Sequence, residues 1–496
     1  MTVAAPAIAN RTLSQEALIN GLLALLPGSA VLTDPEDLRP FECDALSVYR
    51  RLPLVVVLPE TIAQVQAIMR LCHTLRVPVV ARGAGTGLSG GALPLADGVL
   101  LSLARFTRIL HIDPHNAMAT LQPGVRNLAI SEAAAAHGMY YAPDPSSQIA
   151  CSIGGNVAEN SGGVHCLKYG LTVHNILMLK LVTMEGELLS IGSETLDSPG
   201  YDLLALLTGS EGMLGIIVEV TVKLLARPER AQVVLAAFDD VVKAGEAVGA
   251  IIAAGIIPAG LEMMDRLAIQ AAEDFAHAGY PRDAEAILLC ELDGSNAEVS
   301  EYIMAVRRVL TQSGATEVRT AVDEAERQLF WKGRKSAFPA VGRISPDYYC
   351  MDGTIPRRQL PQVLRQISQW SQEYGLAVAN VFHAGDGNLH PLILFDANKP
   401  GELARTEEFG RRILQLCVEV GGTITGEHGV GMEKIDQMCS QFRSAELSQF
   451  HAVKAAFDPA GLLNPGKAVP TLQRCAEFGA MHVHHGQLSH PELERY

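Results

Sequence analysis

Pro78-Val-Val-Ala-Arg-Gly-Ala-Gly-Thr-Gly-Leu-Ser-Gly-Gly91 decides how this chain is read. Five of the nine residues from Gly83 to Gly91 are glycine, and they follow directly on the apolar Val77, Val79 and Val80. A strand that runs into such a loop can take positive φ angles and bring its N–H groups against a bulky anion such as a diphosphate. Gly85, Gly87 and Gly90 fit the G-x-G-x-x-G spacing of a dinucleotide fold, but that motif needs a helix to open at the glycines. Here Ala92-Leu-Pro-Leu-Ala-Asp-Gly98 follows, broken by Pro94 and Gly98, before a second apolar run at 99–103. The sequence therefore predicts strand, glycine loop, strand, and no doubly wound sheet. An ordinary glycine-rich turn is the alternative for this stretch taken alone.

Two further clusters extend the pattern. Ala142-Pro-Asp-Pro-Ser-Ser-Gln-Ile-Ala-Cys-Ser-Ile-Gly-Gly-Asn-Val-Ala-Glu-Asn-Ser-Gly-Gly163 and Thr208-Gly-Ser-Glu-Gly-Met-Leu-Gly215 read as loops rich in Gly, Ser and Asn. They offer backbone donors and small hydroxyls suited to a large planar cofactor that carries phosphates. With Leu463-Asn-Pro-Gly-Lys467, these motifs resemble the FAD-contacting motifs of the FAD-linked oxidases, flavoproteins of the vanillyl-alcohol-oxidase type. The likeness runs over nearly the whole chain and is greatest to the glycolate-oxidising branch. It implies FAD contacts from Arg82, Gly83, Ala84, Gly85, Thr86, Gly87, Ser89 and Gly90 in the first loop. In the second it implies Pro143, Asp144, Ser147, Ser152, Gly154, Gly155, Asn156, Asn160 and Gly163, and in the third Glu211, Gly215 and Ile217. It also places Asn464 near the flavin ring, although Asn464-Pro-Gly is by itself a turn signal. Covalently flavinylated relatives carry a histidine in the first loop; this loop has none, so noncovalent FAD is expected.

Composition narrows the rest. At 496 residues the chain exceeds what one core usually supports, and a net charge of −15 disfavours nucleic acid or an anionic membrane surface as main partner. Nine cysteines without a C-x-x-C pair read as reduced thiols and exclude iron–sulfur and structural zinc spacings. No signal peptide is expected at residues 1–10, and the apolar run 247–261, interrupted by glycines and Pro258, is too short to span a membrane. A cytoplasmic location is expected, with any membrane contact peripheral and made through partner subunits.

Along the chain, residues 1–50 form an N-terminal helical segment with a helix near 15–26. A buried strand at 54–58 precedes a helix that Thr61 and Gln64 open as a capping box and that runs through Leu75, with Cys72 on its packed face. Short strands and one helix follow to about 224. The order is α+β, as the resemblance also implies: a two-subdomain FAD-binding domain at 51–228. The pattern restarts after the polar junction Arg227-Pro-Glu-Arg230 in a β-α-β-β-α order, compatible with a ferredoxin-like cap. This cap is expected at 229–430, followed by a C-terminal helical segment at 431–496 that in relatives returns to the flavin domain.

The chemistry is expected in the cap. In Phe382-His-Ala-Gly-Asp-Gly-Asn-Leu-His390 the Asp-Gly turn can bring His383 and His390 together, and Thr425-Gly-Glu-His-Gly429 sets Glu427 beside His428. Two imidazoles and a carboxylate make an open divalent-metal site, although a loop histidine is more often a surface residue. The resemblance implies Zn, Mn or Fe on His383, His390 and Glu427. The reaction it implies is oxidation of glycolate or D-lactate, with metal-assisted loss of the hydroxyl proton and hydride transfer to flavin N5. His428 is the candidate base or a partner that orients Glu427. Arg334 in Trp331-Lys-Gly-Arg-Lys335 matches the family's substrate arginine; on spacing alone it belongs to a solvated helix face with Lys332 and Lys335.

Cys350 and Leu392 stand where the 2-hydroxyglutarate branch carries lysine and asparagine, a loss of polar groups that points to a small monocarboxylate. The resemblance further implies a complex with a second flavin-type subunit and an iron–sulfur subunit that passes electrons to quinone. A D-lactate dehydrogenase acting alone, a flavin electron-transfer subunit and a metal-dependent hydrolase are the alternative readings. His165-Cys166 reads as a packed thiol near the cofactor, and His482, His484, His485 and His490 as a solvated or partner-contacting tail.

Overall fold

The computed structural model describes residues 5–195 and 199–470. The histidines at 482, 484, 485 and 490 lie outside them.

The N-terminal half is built on two sheets. In the first, the strands run in the order Val31–Leu32, Val55–Val57, Val99–Ser102, Val79–Arg82, and the last three are parallel. Ile62–Leu75 makes the crossover between two of them, opened by the reciprocal Thr61–Gln64 capping box and packed through Val65, Ile68, Met69 and Cys72. Val79–Arg82 and Val99–Ser102 also pair in parallel, yet the chain between them returns as an irregular glycine loop instead of a helix. This is the strand-loop-strand that Pro94 and Gly98 predict. The second sheet is antiparallel and five-stranded, in the order Ile109–Asp113, Met118–Leu121, Ile216–Lys223, Ile176–Val182, Leu188–Gly192.

The second glycine cluster corrects the reading as an open loop. From Ser152 it closes into the helix Ile153–Glu159, capped at one end by the Ser152 hydroxyl and at the other by Asn160 at φ +54°. Gly154 and Gly155 hide the helix because they disfavour it by propensity, and the serine cap overrides them.

The C-terminal half is one seven-stranded antiparallel sheet. Its first four strands lie in the order Glu317–Thr320, Arg230–Phe238, Ala286–Gly294, Gly260–Asp265, the ferredoxin-like arrangement that the β-α-β-β-α pattern predicts. Val378–Phe382, Pro391–Phe395 and Asp347–Cys350 continue it. The sequence reading lacks the helix Arg266–Ala276, which Asp265 caps by accepting from Ala268 N at 3.0 Å. That helix is rich in alanine, so its apolar stripe is faint although Ala268, Ile269, Ala271 and Ala272 are buried.

Residues beyond 430 fold back onto the first glycine loop. Met432 N and Glu433 N donate to Ser89 O, Asn464 N donates to Val79 O, and Asn464 Nδ2 donates to Gly91 O at 3.0 Å and Glu211 O at 2.7 Å. Gly431 at φ +51° permits this closure, because a Cβ there would overlap the Ser89 carbonyl oxygen. We expect Gly431→Ala to cost about 1–3 kcal/mol in backbone strain alone. It should also lower the flavin retained on purification, read as the visible-to-ultraviolet absorbance ratio with the thermal midpoint alongside.

Candidate active site

A cavity of about 570 Å³ lies between the two halves. Fourteen of the residues predicted for the cofactor line it: Arg82, Gly83, Ala84, Gly85, Thr86, Gly87, Ser147, Ser152, Gly154, Gly155, Asn156, Glu211, Gly215 and Ile217. The other seven stand behind its wall. Ser89, Gly90 and Asn464 belong to the contact with the C-terminal segment, Pro143 O accepts from Asn127 Nδ2, and Asn160 Oδ1 accepts from Val173 N. Gly163, at φ +150°, passes so close to the Asp144 backbone that a Cβ would strike it, and Asp144 lies 3.0 Å from His165 Nδ1. Burial opposes charge on both partners of that pair, but His165, also 3.1 Å from Glu291, is held well above the usual imidazole range. Cys166 is a buried thiol pushed well up by burial. Glycine is required for the close packing of these walls: Cβ atoms at Gly83, Gly85 and Gly154 would collide with Ser152, Arg82 and Pro123.

His390, Glu427 and His428 line the same cavity. Val378–Phe382 delivers His383 at its end, and the turn closes with His383 N donating to Asn388 O and Gly387 N to His383 O. The two rings stand 5.0 Å apart, nearly perpendicular. Glu427 Oε1 sits 2.9 Å from His390 Nε2 and 3.4 Å from His383 Nε2, and one donor atom from each residue falls within a 4.8 Å group. Burial would raise the Glu427 carboxyl, but the two imidazoles outweigh it and hold it well below the carboxylate range. The predicted trio thus meets in space, with His383 just behind the cavity wall.

Three supporting residues were invisible in the sequence. Glu262, 1% exposed on Gly260–Asp265, lies 2.9 and 3.0 Å through its two oxygens from His383 Nδ1, which turns Nε2 towards Glu427. Such a carboxylate behind a ligand histidine fixes its tautomer and ring orientation. Asp352, fully buried, accepts from Thr425 Oγ1 at 2.5 Å, Gly426 N at 3.0 Å and His428 N at 2.9 Å, and so shapes the loop that carries Glu427. Lys434 Nζ balances it at 3.5 Å. The only local signal for Asp352 is its place just after the strand Asp347–Cys350; Glu262 has none.

Arg334 is 1% exposed at the end of Glu324–Lys335, which removes the solvated-face reading. Its Nη2 stands 2.6 Å from Glu262 Oε2, and neither Nε nor Nη2 has an in-line acceptor. It does not line the cavity, whereas its neighbour Lys335 does. His428 stacks on His390 at 5.0 Å and 7°, with Nδ1 buried and unpartnered. Burial lowers its imidazole to about 4, against the pull of Asp352, so it is neutral at cellular pH.

Residues 53–192 match the family described as FAD binding domain, and residues 227–468 match FAD linked oxidases, C-terminal domain. The chain is 70% identical to the glycolate oxidase subunit GlcD of Escherichia coli K12 over 95% of its own length and 94% of the relative's. The chain belongs to the FAD-linked oxidase family. Within that family it is also 31% identical to a D-lactate dehydrogenase of Anaerostipes hadrus, over 88% of this chain and 94% of that one. The structure of 4-ethylphenol oxidase from Gulosibacter chungangensis has the same fold: TM-score 0.78 at 18% identity, over 95% of this chain and 99% of that one. The resemblance to the FAD-linked oxidases is thereby borne out, and so is the α+β fold. Among the described residues no helix is long and apolar enough to cross a membrane.

Proposed function

We propose that this chain is an FAD-dependent dehydrogenase of small 2-hydroxy acids, glycolate and D-lactate, working as a subunit of a glycolate oxidase. One observation carries the reading: a His-His-Glu donor group stands on the same cavity as the glycine walls of the FAD-binding domain. An electron-transfer subunit would not need that group, and a hydrolase would not need those walls.

Bound FAD supplies a two-electron acceptor, and a divalent ion, Zn, Mn or Fe, supplies Lewis acidity worth several kcal/mol at a hydroxyl. The donor set fits such an ion: two nitrogens and one carboxylate oxygen, with coordination positions left for substrate. His383, His390 and Glu427 would hold it, Glu262 orients His383, and Asp352 fixes the backbone of Glu427 and His428. Neutral His428 accepts the hydroxyl proton at Nδ1, which has no other partner. Arg334 is the fork we assign to the substrate carboxylate; it stands behind the cavity lining against Glu262, so binding substrate would require its guanidinium to turn towards the cavity. Cys350 and Leu392 face each other across paired strands, and neither would hold a second carboxylate on a longer acid.

The partners we propose are a second flavin-type subunit and an iron–sulfur subunit that deliver electrons to quinone; support for a complex comes from the word "subunit" in the name of the E. coli relative. Mixing the purified protein anaerobically with each acid tests the function. Glycolate and D-lactate should bleach the flavin, and L-lactate should leave it yellow. Failure of all three to bleach a flavin-loaded protein would remove the dehydrogenase reading.

A further inference from the structure

One donor at the site has no part in the scheme above. Cys350 ends the strand Asp347–Cys350 at the edge of the seven-stranded sheet, 5% exposed. Its Sγ and one ring nitrogen each of His390 and His428 lie within 4.8 Å of one another. Two of these side chains are under-used. His390, 2% exposed, gives Nε2 to Glu427 and leaves Nδ1 buried without a partner, and His428 Nδ1 is buried without one too. Among the described residues the Cys350 thiol donates to the Met351 carbonyl oxygen, at the long distance of 3.5 Å.

A sulfur and two imidazole nitrogens form a soft donor set. It differs in kind from His383, His390 and Glu427, which includes a hard carboxylate oxygen. Soft sets select Zn²⁺ or Cd²⁺, whereas Mn²⁺ prefers oxygen. We propose that Cys350, His390 and His428 form a second cation site for a thiophilic divalent ion, and that its occupation inhibits the enzyme by taking His390 and His428 out of the reaction. On binding, the S–H bond breaks, a sulfur–metal bond forms and the proton leaves to solvent, without any change of oxidation state. The binding stands on the donor geometry alone; the inhibition rests on the function proposed above.

The full-length, FAD-loaded protein is titrated with Cd²⁺ and separately with Mn²⁺, and difference spectra record the ultraviolet thiolate-to-cadmium band. In the wild type the band should saturate at one ion per chain. Cys350→Ala should lose it and bind Cd²⁺ at least tenfold more weakly, with Mn²⁺ affinity the same in both proteins. Cys350→Ser, closer in shape, serves the same purpose if the alanine variant does not fold. Glu427→Gln should keep the band, since Glu427 is not among the three donors. No band in the wild type, a band surviving in the Cys350 variants, or a band lost in Glu427→Gln would each overturn the site. Glycolate-driven bleaching, measured in the wild type and the Cys350 variants with and without Cd²⁺, should slow at least tenfold in the wild type only. Equal slowing in the Cys350 variant would overturn the inhibition. A protein that glycolate never bleaches, yet that shows the cadmium band, would refute the proposed function and leave the site standing.

Discussion

Glu427→Gln is expected to purify yellow and to lose reduction of its flavin by glycolate, with the rate falling about 10²–10³-fold. Glutamine keeps the shape of the side chain and removes the charge that His390 and His383 share at 2.9 and 3.4 Å. It also turns one ligand oxygen into a donor that cannot bind a cation. The flavin should stay, because Glu427 is not among the glycine-cluster residues expected to contact FAD and glutamine keeps the volume of its side chain against Gly162. Stopped-flow bleaching together with the bound-FAD ratio separates the two effects. Chelation of the wild type should reproduce the loss, and added Mn²⁺ should reverse it. A variant that bleaches at the wild-type rate would take Glu427, and the ion, out of the mechanism.

Asp352→Ala is expected to be the most destabilising single change at the site, by about 3–5 kcal/mol. The substitution leaves the fully buried Lys434 with Glu433, at 3.2 Å, as its remaining carboxylate, and burial pushes that carboxyl up to about 7. It also removes the carboxylate acceptor from Thr425, Glu427 and His428 at once. Burial would raise the Asp352 carboxyl, but His428 and Lys434 win and hold it at about 2. A depressed carboxyl contributes stability that is complete above its unfolded value of about 3.8 and fades as pH falls through 2. Denaturant midpoints at pH 7 and pH 3 should therefore differ more between wild type and variant at the higher pH. Equal midpoints at pH 7 would mean that water replaces the carboxylate in shaping the loop.

These two residues differ in how far the sequence exposes them. Glu427 is legible because Gly-Glu-His-Gly is a local pattern, and the Asp-Gly turn between His383 and His390 fixes a hairpin over a few residues. Asp352 lies 76 residues from His428, and Glu262 lies 121 from His383. No periodicity links such positions, and a buried acid is spelled with the same letter as a solvated one. Arg334 makes the same point: its helix looks like a charged surface face, and only the fold shows that the guanidinium is enclosed with Glu262.

The chain by itself determined where the backbone needs glycine, which strands flank those loops, and which short loops carry imidazole and carboxylate. Each of these depends on φ preferences, alternation and turn chemistry within a few residues, so neighbours in sequence settle it. Tertiary structure alone decided that the glycine walls and the imidazoles face one cavity, and that Glu211 closes it by accepting from Gly431 N across 220 residues. It also decided which acids are buried to hold the site. Burial and long-range pairing are properties of packed layers, whose energies come from groups that the sequence keeps apart.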